Sequence, residues 1–98
     1  MIDIDVSSLE VRHNVGAHRF EVLLGDKIGL IVYRKDDDTY NMFHTEVPPE
    51  YQGQGVADHM TRFALDAVQA EGAHVIPTCS FIRTYIRRHK QYAPLVAG

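Results

Sequence analysis

The segment that most constrains the fold is Tyr51-Gln52-Gly53-Gln54-Gly55-Val56-Ala57, set between Val47-Pro48-Pro49 and a long amphipathic run from Asp58 onward. Prolines end a strand, two glycines make a loop, and apolar residues then recur with helical period, so strand, loop and helix follow in that order. This order aims a row of backbone N–H groups at the helix entrance, where they have no acceptor inside the helix and the helix dipole adds positive charge. The natural guest is an anion, typically a phosphate.

Upstream of the loop the pattern is that of strands. Arg19 to Leu24 alternates at first, Gly25-Asp26 supplies a two-residue turn, and Lys27 to Arg34 resumes the alternation. Ile28, Leu30 and Val32 fall on one face of that second strand and Ile31 and Tyr33 on the other, which places it inside a sheet. Asp36-Asp37-Asp38 turns the chain; a triple Asp without the glycine and distal glutamate of a calcium loop reads as a solvated hairpin tip. Thr39 to Val47 is the next strand, and Leu9, Val11 and Asn14 offer an outer one.

Downstream, Val56, Met60, Phe63, Ala64, Ala67 and Val68 form one helical stripe, and Gly72 stops it. Ala73 to Cys79 is a further strand, parallel to Thr39–Val47 because a helix separates the two. Pro77 removes a ladder donor, as at an edge or where two strands splay apart. Ser80 offers a cap for a second helix, with Ile82, Tyr85, Ile86 and His89 on one face and Arg83, Arg87 and Lys90 on the other. Pro94 ends any helix, leaving a short tail from Tyr92.

Composition narrows the class. In 98 residues, 45% of them apolar, no tract is long enough to span a bilayer, so one domain without a membrane partner is expected. Met1-Ile2-Asp3-Ile4-Asp5 has neither a basic leader nor an apolar core, which makes the cytoplasm the default. A single cysteine, Cys79, cannot form an internal disulfide, and six histidines lack metal-site spacing, so no metal is expected. Residues 1–58 carry eleven acids against five Lys/Arg, and residues 59–98 two against five. The basic half is too mild for duplex nucleic acid but favours a small polyanion near the loop.

Two familiar phosphate loops fail on their own residues. A dinucleotide fingerprint needs a third glycine where Asp58 stands, and a P-loop needs Lys-Ser/Thr where Val56-Ala57 stands. Gln52-Gly53-Gln54-Gly55-Val56-Ala57 instead resembles the Q/R-x-x-G-x-G/A motif of the GNAT superfamily of N-acetyltransferases, matching it at Gln52, Gly55 and Ala57. His44-Thr45-Glu46-Val47-Pro48, the loop, and Thr78-Cys79-Ser80-Phe81-Ile82 together look like a family of very small GNAT-like proteins. The resemblance covers roughly residues 19–92 and implies an α/β (α+β) fold: antiparallel strands, a helix crossover to a parallel, splayed strand, and a C-terminal helix.

It also implies a function. The substrates would be acetyl-CoA and an amine acceptor, in a monomer or weak homodimer. Val47, Gln52, Gly53, Gln54, Gly55, Val56, Ala57, Cys79 and Tyr85 would hold the cofactor, with the pantetheine arm in the splay that Pro77 leaves open. Cys79, His44 and Glu46 are the candidate catalytic residues, with His44 expected to share the face of Met42 and Glu46 and to lie near Cys79. In a direct route His44 or Glu46 deprotonates the amine; in a two-step route Cys79 is acetylated first. The tyrosine that many members use to protonate the leaving thiolate aligns with Ile86, one residue from Tyr85. The N-terminal helix pair and C-terminal strands with which that superfamily usually walls the acceptor site are not seen in the sequence, so the substrate pocket is expected to be open or completed by a partner. A CoA-binding sensor or adaptor without turnover is the alternative, and the Arg83–Lys90 cations are either a solvated face or a seat for the cofactor's 3′-phosphate.

Overall fold

The computed structural model describes residues 2–97. β1 (Val11–Asn14), β2 (Arg19–Leu24), β3 (Lys27–Asp36) and β4 (Thr39–Glu46) pair antiparallel in succession. α1 (Val56–Glu71) then crosses to β5 (His74–Pro77), parallel to β4, giving one sheet in the order β1-β2-β3-β4-β5. α2 (Ser80–Arg88) and a 3₁₀ segment, Lys90–Leu95, close the chain. This is the mixed α+β order expected from the sequence. Gly25, at φ +63°, makes the β2–β3 turn, where Leu24 pairs with Lys27.

Alternation in the strands decides where the core forms. Phe20, Val22, Ile31 and Met42 face one side and are completely buried, whereas Ile28, Leu30 and Val32 face the other and are half-buried. α1 lies on the first side, close enough that a Cβ on Gly29 would stand 3.3 Å from the Met60 methyl. Each large side chain buried there stabilises the fold by about 1.5–3 kcal/mol. The molecule measures 39 × 30 × 20 Å, and its shortest extent is that of a sheet carrying a single layer of helix.

The buried arc of α1 is rotated from the expected stripe. It holds Val56, Met60, Thr61, Ala64, Leu65 and Val68, while Phe63 is 40% exposed and meets Phe20 edge-on. Thr61 tolerates burial because its hydroxyl donates to the Ala57 carbonyl (2.7 Å). Gly72, at φ +73°, ends the helix by donating to the Gln69 and Val68 carbonyls.

Three more expectations need correction. Cys79, not Ser80, is the N-cap of α2, and no side chain caps that helix. The chain beyond Tyr92 is no loose tail: Pro94 sits inside the 3₁₀ segment, whose φ range its ring already satisfies, and Tyr92 and Leu95 are buried. Pro77 does not open the sheet toward β4. His74 donates its N–H to Asp38 of the β3–β4 turn while the Val75 carbonyl accepts from Ala97 on the outside, so by strand alternation the Pro77 nitrogen faces the outer edge, where no ladder bond is lost.

Candidate active site

β4 changes face part-way along. Tyr33 pairs with Met42 but Val32 pairs with His44, so Phe43 is an extra residue, a β-bulge. Without it Met42, His44 and Glu46 would share a face. With it Thr45 stands opposite Ile31 on the helix-covered side, and His44 and Glu46 join Val32 and Leu30 on the other. There His44 Nε2 lies 3.6 Å from Glu46 Oε1, both side chains more than half exposed. The expectation that His44 shares the face of Met42 is therefore overturned by one residue of register.

The neighbour of Cys79 is Thr45. Cys79 donates its N–H to the Met42 carbonyl (2.9 Å), and its half-buried sulfur lies 3.4 Å from Thr45 Oγ1. Past this contact β4 runs on to Glu46 while the other chain turns into α2, so the two diverge. The gap opens beyond Cys79 rather than at Pro77.

The loop follows at the end of β4. Gln52 Nε2 donates to the Val47 carbonyl (2.9 Å), tying the loop back to the strand. Gly53 and Gly55 take φ of +79° and +89°, a region other residues enter only at a cost. Gly55 is the N-cap of α1 and brings no capping side chain. The first helical bond runs from His59 N–H to the Gly55 carbonyl (3.0 Å), so the N–H groups of Val56, Ala57 and Asp58 have no acceptor within the helix. Val56, Ala57 and Asp58 line a cleft of about 210 Å³ that also touches Gly53, Gly55 and Gln52 and is walled by Val47 and Phe81. Gln54, expected to hold the cofactor, does not line this cleft: its side chain accepts from Ile4 N–H (3.0 Å) and donates to the Ile2 carbonyl (2.5 Å), strapping the N-terminal segment onto the loop.

Sequence reasoning left out Phe81 and Asp58 as lining residues. Phe81 follows Cys79 by two positions in the first turn of α2, and its exposure beside a helix entrance is the only local signal. Asp58 is the one charge on the cleft, an acid in the first turn of α1.

Tyr85 lies elsewhere. It is buried, stacked on His89 at 3.9 Å, and lines a separate cleft with Gly55, Asp58 and Arg62; burial pushes its phenol up from the ordinary value. α2 divides its polar residues accordingly. Arg83, Arg87 and Lys90 border an apolar trough with Pro77 and Val96, away from the loop, so the cation beside Gly55 is Arg62.

The arrangement is that of a known family. The sequence model described as GCN5-related N-acetyl-transferase matches residues 19–95, and the chain belongs to that family, whose members as a class transfer acetyl groups from acetyl-CoA. Among solved structures, a GCN5-like protein from Staphylococcus aureus, determined by NMR, superposes with a TM-score of 0.71 at 25% identity, over 94% of this chain and 91% of that one. The curated relatives include Protein NATD1 from Danio rerio, 32% identical over 95 residues (91% of this chain, 86% of that one), and from Xenopus tropicalis, 31% identical over 86 residues (85% and 79%). No helix among the described residues is long and apolar enough to cross a membrane.

Proposed function

We propose that this chain binds acetyl-CoA with its pyrophosphate at the Gly53–Ala57 turn and catalyses transfer of the acetyl group to an amine. The observation that carries the reading is the uncapped start of α1: three N–H groups without helical acceptors, bordered by two left-handed glycines, facing a walled cleft. Val47 and Phe81 supply apolar walls for the arm that follows the phosphates. Gln52 and Gln54 preorganise the loop through their own hydrogen bonds, which reduces the ordering needed on binding.

For the chemistry, the bulge favours the direct route. His44 and Glu46 stand together, solvent-accessible, where an incoming amine can lose its proton to one of them. Cys79 has a threonine hydroxyl beside it, which gives it no base to serve a nucleophile. The amine attacks the thioester carbonyl, the carbon–sulfur bond breaks, and CoA leaves as the thiol. A sensor without turnover would use the same loop but would have no need of the His44–Glu46 pair.

Calorimetry with acetyl-CoA tests the reading. The wild type is expected to bind, and Gly55→Val, which forces a branched side chain into φ +89°, to lose at least about tenfold in affinity, the equivalent of ~1.4 kcal/mol. A wild type that does not bind acetyl-CoA removes the proposal, and binding without release of free CoA across a panel of amines turns it into the sensor reading.

A further inference from the structure

On the other side of Val47 and Gln52 from the cofactor cleft lies a second cleft, about 560 Å³, between the end of β4 and the β2–β3 turn. Its walls are aliphatic: Ile28, Val47 and Pro48 line it, and among the described residues no aromatic side chain does. Two carboxylates, Asp26 and Glu46, open onto it. The one side-chain ammonium among its described lining residues, Lys27, is held by Glu50, and the hydrogen bond between them raises the lysine above its ordinary value and lowers the glutamate below its own. Among the described side chains, counting Glu50, three carboxylates therefore face one ammonium. Glu46 is at once a wall of this cleft and the partner of His44 at 3.6 Å, so whatever sits here lies beside the proposed base and borders the cofactor cleft across Val47.

We infer that this cleft is the acceptor subsite and takes a primary alkylamine as its ammonium ion: Asp26 and Glu46 attract the charge, Ile28, Val47 and Pro48 cover the alkyl stem, and His44–Glu46 takes the proton. The inference rests on the acetyl-transfer reading above and adds the substrate class to it. The net negative charge selects against amines that carry a free carboxylate, and the aliphatic walls select against flat aromatic amines, which find no ring to stack on. The transfer balances: the nitrogen loses one proton on binding to the base and one on forming the amide, the carbon–nitrogen bond replaces carbon–sulfur, and the products are the N-alkylacetamide, CoA thiol and one proton released to solvent.

Asp26 tests this without touching the proposed base or the loop. With n-pentylamine as acceptor, Asp26→Asn is expected to raise KM by about threefold and Asp26→Lys by about tenfold, since an exposed charge contributes modestly and reversing it doubles the free-energy effect of removing it. The turnover number and the affinity for acetyl-CoA should stay within about twofold of wild type. A readout independent of turnover comes from NMR on the wild-type protein with CoA present. Pentylamine is expected to shift the amides of Asp26, Lys27, Ile28, Glu46 and Val47, and the uncharged analogue 1-pentanol to shift them far less. Equal shifts from both compounds, shifts elsewhere, or a KM for pentylamine indifferent to Asp26→Lys would overturn the inference. If acetyl-CoA binds and another class of amine is acetylated, the acceptor assignment alone fails; if acetyl-CoA does not bind, the cofactor reading fails, and the pentylamine titration still judges the cleft.

Discussion

The two faces of the sheet are built from the same strands and do different work. Under α1, Phe20, Val22, Ile31, Met42 and Val75 are wholly buried, while on the other face Leu23 is 46% and Ile76 41% exposed, with His44 and Glu46 exposed opposite Val32 and Leu30. One layer of helix suffices to hold the fold, and the uncovered face leaves room for the acceptor proposed above. Stability is concentrated where chemistry is absent, and the proposed chemistry lies where little stability depends on it.

Truncations on the two faces should therefore part company. Phe20→Ala is expected to lower unfolding free energy by about 3–5 kcal/mol and Leu23→Ala by no more than ~1 kcal/mol, both read from urea titrations. Similar losses at the two positions would mean that something covers the open face in solution.

His44→Ala with Glu46→Gln should show the converse. The loss of general-base catalysis is expected to lower kcat by about a hundredfold, with the urea midpoint almost unmoved. Cys79→Ala, by contrast, should retain turnover, and intact-protein mass spectrometry should find no acetyl adduct on Cys79; an adduct that forms and decays at the catalytic rate would restore the two-step route.

The covered face also carries a pH dependence. His13 stacks on Phe20 at 4.1 Å and meets the Tyr33 hydroxyl at 2.8 Å, and burial lowers it below its ordinary value. The unfolded chain thus takes up the proton first, so the contribution of the neutral ring is present above about pH 6.5 and is lost as the pH falls from there toward the folded value. The urea midpoint should drop between pH 7 and pH 5, and His13→Gln should flatten that drop. A midpoint that rises on acidification would contradict the assignment.

The smallest effect concerns Asp58. Removing the one acid that lines the proposed acetyl-CoA cleft with Asp58→Asn should tighten acetyl-CoA by a few-fold at low salt, and the gain should shrink as salt is added. Weaker binding would mean that Asp58 organises the helix entrance rather than opposing the anion.

How much of this is legible in the sequence follows from how local each cause is. The β2–β3 turn, the stop at Gly72 and the glycine loop are written in residues whose backbone preferences act over three or four positions, and each forms as read. The rotation of α1 toward Thr61 and Leu65 depends on how the helix sits on the sheet, which its own periodicity does not contain. The strap from Ile2 and Ile4 to Gln54 joins residues about fifty positions apart, and the packing of Tyr92 depends on a hydrogen bond to Asp66 (2.6 Å). At the candidate site, the loop was readable because glycine conformations require it. The separation of His44 from Met42 was not, since the only trace of the bulge is the adjacent apolar pair Met42-Phe43.

That bulge makes β4 a matter of parity. A regular ladder through the same residues would set Phe43 opposite Val32 and exchange every side chain after it between the two faces, sending His44 beneath α1 and Thr45 into solvent. Deleting Phe43 would instead leave Met42 opposite Tyr33 and His44 opposite Val32, with both faces as they are. The bulged conformation at Phe43, rather than the number of residues in β4, therefore sets which side chains reach the open face.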